Sequence, residues 1–242
     1  MRGLIVNADD YGLSPGINRG IAEAHRDGIV TSTSLLVDTP FSAEAAAISA
    51  ELPALSVGLH ADLSAAVAEP EAEVSSAICV EELERQIARF HALTGRWPTH
   101  LDSHHNAHRL HGLNRSFVSF GERYGLRVRE HRDAKYVSAY YGHWDGCTHP
   151  EQIAVKGLQR VLGASDGDLI ELACHPGYVD QALRSSYRRE REVELRTLCD
   201  KRVPQLLDEL GFALLDSQLR TQIGPETTSP RARKVGGGMS QR

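Results

Sequence analysis

Short apolar runs alternate along the chain with longer stretches whose apolar residues recur at helical spacing. This alternation limits the fold most strongly, because it is typical of parallel strands joined by crossover helices. Seven runs have the character of strands: GLIVNA, TSTSLLVD, LSVGLHADL, PTHLDSHHN, LRVREH, DLIELACHPG and FALLDS. With 242 residues and 41% hydrophobic content, the chain is long enough for a full core. The sequence therefore predicts a single α/β domain of about seven parallel strands.

Polar residues at the ends of these runs favour a barrel over an open, doubly wound sheet. Residues of catalytic type follow or end four of the runs: Asp9, Asp10, His60, Asp102, His104 and His175. In (β/α) barrels, catalytic groups from several strands collect at the face where the strands end. We therefore expect these side chains to share one face of a barrel.

Asp9 and Asp10 stand side by side where the first apolar run ends. Adjacent carboxylates repel each other and destabilise a strand end unless a cation lies between them or one of them is protonated. A metal ion is one explanation. The alternative is structural, with Asp10 beginning a turn and Asp9 capping the helix that GINRGIAEAHRDGI predicts.

The stretch THLDSHHNAH is rich in histidine. If its first five residues form a strand, His100, Asp102 and His104 share one face. A divalent ion takes a few imidazole and carboxylate ligands, and each ligating imidazole needs an acceptor for its other ring nitrogen, a role that suits Asp102. With Asp10 and His60, the cluster would supply an Asp-His-His set with room for water. A solvated histidine-rich turn, with His60 in a core or capping role, is the alternative.

The motif CHPG places His175 at the end of another apolar run, where Pro176 and Gly177 force a turn. His175 lies far along the chain from the other histidines. It is therefore a candidate catalytic acid rather than a fourth ligand, with a structural role as the alternative.

Four of these stretches, VNADDYG, GLH, PTHLDSHHNAH and CHPG, occur in the order and spacing typical of the YdjC-like carbohydrate deacetylases. The chain resembles that family over residues 3–216. Its chitooligosaccharide members remove the acetyl group from N-acetylglucosamine units. The resemblance implies a distorted (β/α), TIM-like barrel and a homodimer.

The resemblance also assigns roles to residues. It implies that Asp10, His60 and His104 bind one divalent metal ion, that Asp9 is the general base and that His175 is the general acid. Magnesium or zinc is the expected ion, and cobalt, nickel and manganese also suit mixed Asp and His ligation.

Further residues are predicted to support the ligands or contact substrate: Asp102, His108 and Tyr11. The chain departs from the family at two points. Asn106 stands where a third consecutive histidine is common, and the segment between residues 60 and 100 is short. The first departure bears on a substrate contact and the second on the identity of the substrate.

The predicted reaction is hydrolysis of an N-acetyl group, with release of acetate. Asp9 would take a proton from the attacking water, and His175 would give one to the departing amine. Two alternatives are another metal-dependent hydrolase, a phosphoesterase or amidohydrolase, and a non-catalytic sugar-binding barrel. The first usually begins with paired histidines on the first strand, where this chain has carboxylates.

An acidic stretch containing Glu69, Glu71 and Glu73 has no aromatic residue to stack on successive sugar rings. Residues 65–76 are predicted to form a polar connection or lid, and a loop above the strand ends would govern specificity. We therefore expect a small acetylated amino sugar, namely a mono- or disaccharide or a sugar-bearing metabolite. The aromatic residues expected near the site are Tyr11, Tyr140, Tyr141, Trp144 and Tyr178.

The formal net charge of −5 predicts neither a nucleic-acid partner nor a polybasic membrane patch. Four scattered cysteines, no signal segment and no long apolar run predict a reduced cytoplasmic protein. Residues 221–242 are rich in Gly, Pro, Ser and Thr and lack periodic apolar residues, which predicts a disordered tail. The barrel should therefore span residues 1–220.

Overall fold

The computed structural model describes residues 1–131 and 134–222. Ten strands occur in these ranges: β1 (Arg2–Tyr11), β2 (Ser32–Leu35), β3 (Ser56–Ala61), β4 (His100–Ser103), β5 (Arg127–Val128), β6 (Lys135–Val137), β7 (His143–Trp144), β8 (Cys147–Thr148), β9 (Leu169–Cys174) and β10 (Phe212–Leu214). The α-helices of the same ranges are α1 (Pro15–Arg26), α2 (Ser42–Ala50), α3 (Ser64–Val67), α4 (Ala72–Thr94), α5 (His111–Arg123), α6 (Pro150–Ile153), α7 (Val155–Ala164), α8 (Arg189–Leu198) and α9 (Val203–Glu209). A 3₁₀ helix, His104–Arg109, follows β4.

Eight of these strands form one parallel sheet, in the order β5-β4-β3-β2-β1-β9-β6, with β10 beside the start of β1. β1 is the central strand. Its residues 2–4 pair with β10 and its residues 7–11 pair with β2, while β9 runs along its other edge. In the described part of the chain, the sheet curls into a half-barrel whose path ends at β5 and β6. The predicted α/β, barrel-like single domain is confirmed.

β1 is apolar because it is covered on both faces. Leu4, Ile5 and Val6 are essentially inaccessible to solvent, as expected for a central parallel strand. The helix that follows, α1, begins at Ser14, whose hydroxyl accepts a hydrogen bond from the backbone N–H of Ile17 at 3.3 Å. Ser14 therefore caps this helix, and the alternative in which the first aspartate of β1 caps it is wrong.

Small residues bring α1 close to the segment that follows β9. A Cβ at Gly20 would lie 2.5 Å from the Cα of Gly177, and a Cβ at Gly177 would lie 2.4 Å from a side-chain carbon of Ile17. Any larger side chain would push the two segments apart. This close approach fixes the turn after His175 next to the end of β1.

All seven predicted strands are present, as β1, β2, β3, β4, β5, β9 and β10. β6, which has three residues, and the helix α7 are not predicted from the sequence. Residues 65–76 are predicted to form a connection or lid, whereas they contain most of α3 and the start of α4. β6 and α3 are short and the start of α4 is polar, so their apolar periodicity is weak. In α7, however, Val155, Leu158, Val161 and Leu162 follow helical spacing, so this helix was predictable.

None of the helices in the described ranges combines the length and apolar composition needed to cross a membrane. The four cysteines are free thiols. The predicted tail lies almost wholly outside the described residues, which end at 222. Before that end, Thr221 forms a bridge with Leu215, and the Gln222 N–H donates to the Leu214 carbonyl at 2.9 Å.

Candidate active site

Asp9 and Asp10 line the same cavity because β1 bulges beside them. Thr33 and Leu35 of β2 pair with the residues that flank the two aspartates, so the aspartates together lie opposite Ser34. Adjacent residues of a regular strand point to opposite faces, and one extra residue interrupts that alternation. Asp10 has a left-handed backbone, with φ of +69°, which aspartate tolerates better than most residues. The bulge brings both carboxylates into one site.

One oxygen of Asp10 lies close to two imidazoles. Asp10 Oδ1 is 3.4 Å from His60 Nε2 and 3.2 Å from His104 Nδ1. Its Oδ2 accepts a hydrogen bond from Arg191 at 2.6 Å. The ligand atoms of Asp10, His60 and His104 all lie within 4.8 Å of one another. Two imidazole nitrogens and a carboxylate oxygen suit several divalent ions, so this group can hold one.

The Asp10 carboxyl is ionised although it is buried. Burial opposes ionisation, but the Arg191 guanidinium and the hydrogen bonds to His104 and His60 outweigh it, and they hold the pKa of Asp10 well below its usual value. An ionised Asp10 adds a negative charge to the group that can hold a cation.

His60 presents Nε2 to Asp10 because its other ring nitrogen is engaged. His60 Nδ1 lies 2.6 Å from Asp102 Oδ1, and the two residues pair directly across β3 and β4. Burial lowers the pKa of His60, but the charge of Asp102 and the hydrogen bond to Asp10 outweigh burial and raise this pKa to about 10. The metal-free protein therefore holds a proton on His60 that a metal ion would displace.

Asp9 is held by a second arginine. Arg129 donates from its two terminal nitrogens to the two oxygens of Asp9, at 2.7 and 2.8 Å, and the Asn7 amide donates to Oδ1 at 2.8 Å. Burial raises the pKa of Asp9, but Arg129 outweighs burial and the pKa is lowered. Asp9 is therefore an ionised carboxylate fixed beside the potential metal ligands Asp10, His60 and His104, which together form the Asp10 group.

The Arg129 guanidinium compensates three buried carboxylates. Besides Asp9, it contacts Asp102 Oδ2 at 2.8 Å and Glu171 Oε1 at 2.7 Å. Asp9, His60 and Asp102 form a second group of potential metal ligands, but Arg129 already neutralises both of its carboxylates. The Asp10 group is therefore better suited to a metal ion.

His175 lies on the same cavity, next to two aromatic rings. The ring of Tyr187 lies 5.5 Å from it and that of Tyr141 lies 6.3 Å from it, both edge to face. The His175 backbone N–H and the Tyr187 hydroxyl both donate hydrogen bonds to Glu194. The His175 Nδ1 is buried and has no hydrogen-bond partner within residues 1–131 and 134–222.

Burial shifts the pKa values of His175 and Glu194 in opposite directions. It lowers the pKa of His175, against the pull of Asp10 and Asp9, and it raises the pKa of Glu194 to about 8. His175 is therefore neutral in the free protein.

These groups line a cavity of about 520 Å³, within the usual range of small-molecule sites, roughly 300–1,000 Å³. Tyrosines form much of its wall, namely Tyr136, Tyr140, Tyr141 and Tyr187. Arg184 and Arg191 are its cationic residues. A smaller cavity of about 280 Å³, lined by Trp97 and Thr99, lies where β3 and β4 begin and contains none of the predicted catalytic or metal residues.

The sequence model of the YdjC-like protein family matches residues 3–209. The chain belongs to this family. A chitooligosaccharide deacetylase from Serratia marcescens is 34% identical, over 87% of this chain and 96% of that protein. A carbohydrate deacetylase from Geobacillus stearothermophilus is 33% identical, over 87% of this chain and 95% of that protein.

Solved structures agree on the fold of this YdjC-like protein. A protein from Enterococcus faecalis V583 that was proposed to cleave cellobiose phosphate has a TM-score of 0.76 and 26% identity, over 91% of this chain and 99% of that one. A family 4 carbohydrate esterase from Streptomyces lividans, in complex with acetate, has a TM-score of 0.54 and 12% identity, over 93% and 98% of the two chains. At this low identity, the esterase supports the fold alone.

The structure of the YdjC-like protein brings five predicted residues to one cavity: Asp9, Asp10, His60, His104 and His175. Asp102 lies behind His60, as the distances above describe. Tyr11 and His108 do not line the cavity. Tyr11 is fully buried, and His108 lies with Nδ1 2.6 Å from the Ser103 hydroxyl and Nε2 3.3 Å from Glu130.

The acidic stretch does not border the cavity. Glu69, Glu71 and Glu73 lie outside its lining, which includes Arg184 instead. Among the expected aromatic residues, Tyr140 and Tyr141 line the cavity, whereas Trp144 and Tyr178 do not.

Sequence reasoning missed several residues that shape the site. Arg129 directly follows β5, so its place at a predicted strand end was an available signal. Arg191 and Glu194 lie on α8, whose sequence REREVEL is typical of a solvated helix, yet both are buried. Their spacing of three residues places them on one face of that helix.

Proposed function

We propose that this protein is a metal-dependent carbohydrate deacetylase that hydrolyses the N-acetyl group of a small acetylated amino sugar and releases acetate. The observation that carries the proposal is the joint placement of an open Asp-His-His group, a separate ionised carboxylate and a histidine on one cavity. Relatives at 34% and 33% identity that are named as deacetylases support the same activity.

Asp10, His60 and His104 are the residues that would hold the ion. Their donor atoms converge, and the Asp102 hydrogen bond to His60 Nδ1 leaves Nε2 as the ligating atom. When bound, a divalent ion lowers the pKa of water and polarises the acetyl carbonyl. Magnesium and zinc are the proposed ions.

Asp9 would act as the general base. It is ionised, it lines the cavity beside Asp10, and Arg129 with Asn7 fixes the plane of its carboxylate. A base held in this way can take a proton from the attacking water without moving. The proton then resides on a carboxyl group that the Arg129 guanidinium keeps acidic, which favours its onward transfer.

His175 would supply a proton to the departing amine. It lines the cavity, and its Nδ1 finds no acceptor or donor in the described parts of the protein. A protonated imidazole of lowered pKa is a strong acid, so proton transfer to the amine is favourable. The free enzyme holds His175 neutral, so the proton must arrive during the catalytic cycle.

The cavity volume of about 520 Å³ supports a substrate of one or two sugar rings. Of the wall tyrosines, Tyr141 is exposed and offers a surface on which a sugar ring can stack. The size of the cavity, rather than the acidic segment, is therefore the basis for a small substrate.

Acetate release tests the proposal. The metal-loaded protein is incubated with N-acetylglucosamine, its β-linked disaccharide and the tetramer, and acetate is followed by proton NMR, with Asp9→Asn as the matched blank. We expect acetate from the mono- or disaccharide and a large loss in the variant. A preference for the tetramer would overturn the small substrate. Sugar binding without acetate would favour a binding protein, and phosphate release from an aryl phosphate would favour a phosphoesterase.

A further inference from the structure

Buried side chains form a continuous hydrogen-bonded path from the start of β4 to His60. Thr99 Oγ1 lies 2.9 Å from His100 Nδ1, and His100 Nε2 lies 3.2 Å from Ser34 Oγ. Ser34 Oγ lies 2.5 Å from Asp102 Oδ2, and Asp102 Oδ1 lies 2.6 Å from His60 Nδ1. The path thus joins the end of the barrel opposite the active site to a proposed metal ligand.

Counting protons gives the direction of each hydrogen bond. The carboxyl of Asp102 is ionised and forms an ion pair with Arg129, whose terminal nitrogen lies 2.8 Å from Oδ2, so this oxygen has no proton to give and accepts from Ser34. Ser34 has one hydroxyl proton and donates it to Asp102. It also accepts from the Asn7 amide at 2.7 Å. The remaining neighbour of Ser34, His100 Nε2, must therefore be a donor.

Burial lowers the pKa of His100, so the ring is neutral and its other nitrogen is an acceptor. Thr99 donates its hydroxyl proton to Nδ1. Its oxygen accepts from Ser56 or Ser217, which lie 2.8 and 3.0 Å away and also form a hydrogen bond with each other. The ring lies against Gly58, where a Cβ would come within 2.5 Å of ring atoms. Hydroxyl groups fix the tautomer of His100, and a glycine makes room for its ring.

We propose that His100 is a positioning residue for the metal site, set in its Nε2–H tautomer by Thr99. In this state it turns the Ser34 proton toward Asp102, and Asp102 in turn holds the Nδ1 proton of His60, so that Nε2 is the nitrogen that faces Asp10. The inference about metal affinity rests on the proposed function, because it takes His60 as a ligand. The tautomer itself does not depend on that function.

Nitrogen-15 NMR of the histidine rings in the metal-free wild-type protein reads the tautomer directly. His100→Gln identifies the resonances, because the pair that it removes belongs to His100. We expect a protonated Nε2 and an unprotonated Nδ1. A proton on Nδ1, or a doubly protonated ring, would overturn the inference.

Metal affinity tests the consequence. Zn²⁺ is titrated into the metal-free protein in competition with a chromophoric chelator. Thr99→Val keeps the shape of the side chain but removes the donor, and we expect its Kd for Zn²⁺ to rise about tenfold, at the lower end of the effect of removing outer hydrogen bonds from metal sites. Thr99→Ser should restore wild-type affinity.

Thr94→Val is the matched control. Its hydroxyl lies at the same end of the barrel but donates to the Phe90 carbonyl at 2.9 Å and has no part in the path. Wild-type Zn²⁺ affinity in Thr99→Val, or an equal loss in Thr94→Val, would contradict the inference. Failure of the proposed function gives a different result. The wild-type protein would then release no acetate, while the tautomer of His100 and the Kd for Zn²⁺ could still be measured.

Discussion

Arg129 binds both carboxylate oxygens of Asp9, at 2.7 and 2.8 Å. Arg191, in contrast, binds one oxygen of Asp10 and leaves the other facing the imidazoles of His60 and His104. Two adjacent aspartates are therefore compensated by different arginines in different ways. This asymmetry underlies the proposed division of labour, with Asp10 as a ligand and Asp9 as a base.

Asp9→Asn should retain metal and lose activity. The amide keeps the shape of the side chain but cannot take a proton, so turnover should fall by about two to four orders of magnitude. Metal content by mass spectrometry and acetate release measure the two properties separately. The control is Asp38→Asn, which alters an exposed ion pair with Arg85. Near wild-type turnover in Asp9→Asn would rule out its role as the base.

His104→Ala should lose metal and activity together, because it removes one of the three converging donor atoms. His105→Ala is the matched comparison. The centroid of the His105 ring lies 3.8 Å from that of His104, with the rings tilted by 43°, but His105 is outside the ligand group, so this variant should keep its metal. Equilibrium dialysis against Zn²⁺ measures both. Stoichiometric, tight metal in His104→Ala would contradict the ligand assignment.

Arg129→Gln should destabilise the fold strongly. It leaves Asp9, Asp102 and Glu171 without their shared buried cation, and breaking a buried ion pair from one side costs about 3–5 kcal/mol. Urea unfolding measures the loss. Arg85→Gln, which breaks exposed pairs with Asp38 and Glu82, should cost about 0–1 kcal/mol. Similar losses in the two variants would show that the Arg129 network contributes no more than a surface pair.

Glu194 should make stability depend on pH. Burial raises its pKa from 4.5 to about 8, so between these values the folded state holds a proton that the unfolded state has released. The free energy of unfolding should therefore fall as pH rises from 5 to 8. Glu194→Gln should flatten this slope, since glutamine does not titrate. Urea unfolding at several pH values gives the slope, and an identical slope in the variant would exclude Glu194 as its source.

The sequence predicted most of the sheet and the residues that gather around the cavity, since both follow from apolar periodicity and from polar residues at strand ends. Asp9 and Asp10 show a feature that the local sequence pattern does not predict. That two adjacent residues line one cavity depends on a bulge opposite Ser34, and pairing register is not encoded in the local pattern.

The roles of Arg129 and Arg191 could not be predicted from the sequence for a related reason. Arg129 and Arg191 acquire their roles from tertiary contacts with β1, 120 and 181 residues away along the chain. The implied homodimer and the cytoplasmic location stay predictions.

Anomalous diffraction from crystals of the metal-loaded protein tests the central claim most directly. The account predicts one peak at about 2.0–2.2 Å from Asp10 Oδ1, His60 Nε2 and His104 Nδ1, with Asp9 still bound to Arg129 and away from the ion. A peak among Asp9, His60 and Asp102, or the absence of a peak at the Asp10 group in a fully loaded crystal, would contradict it.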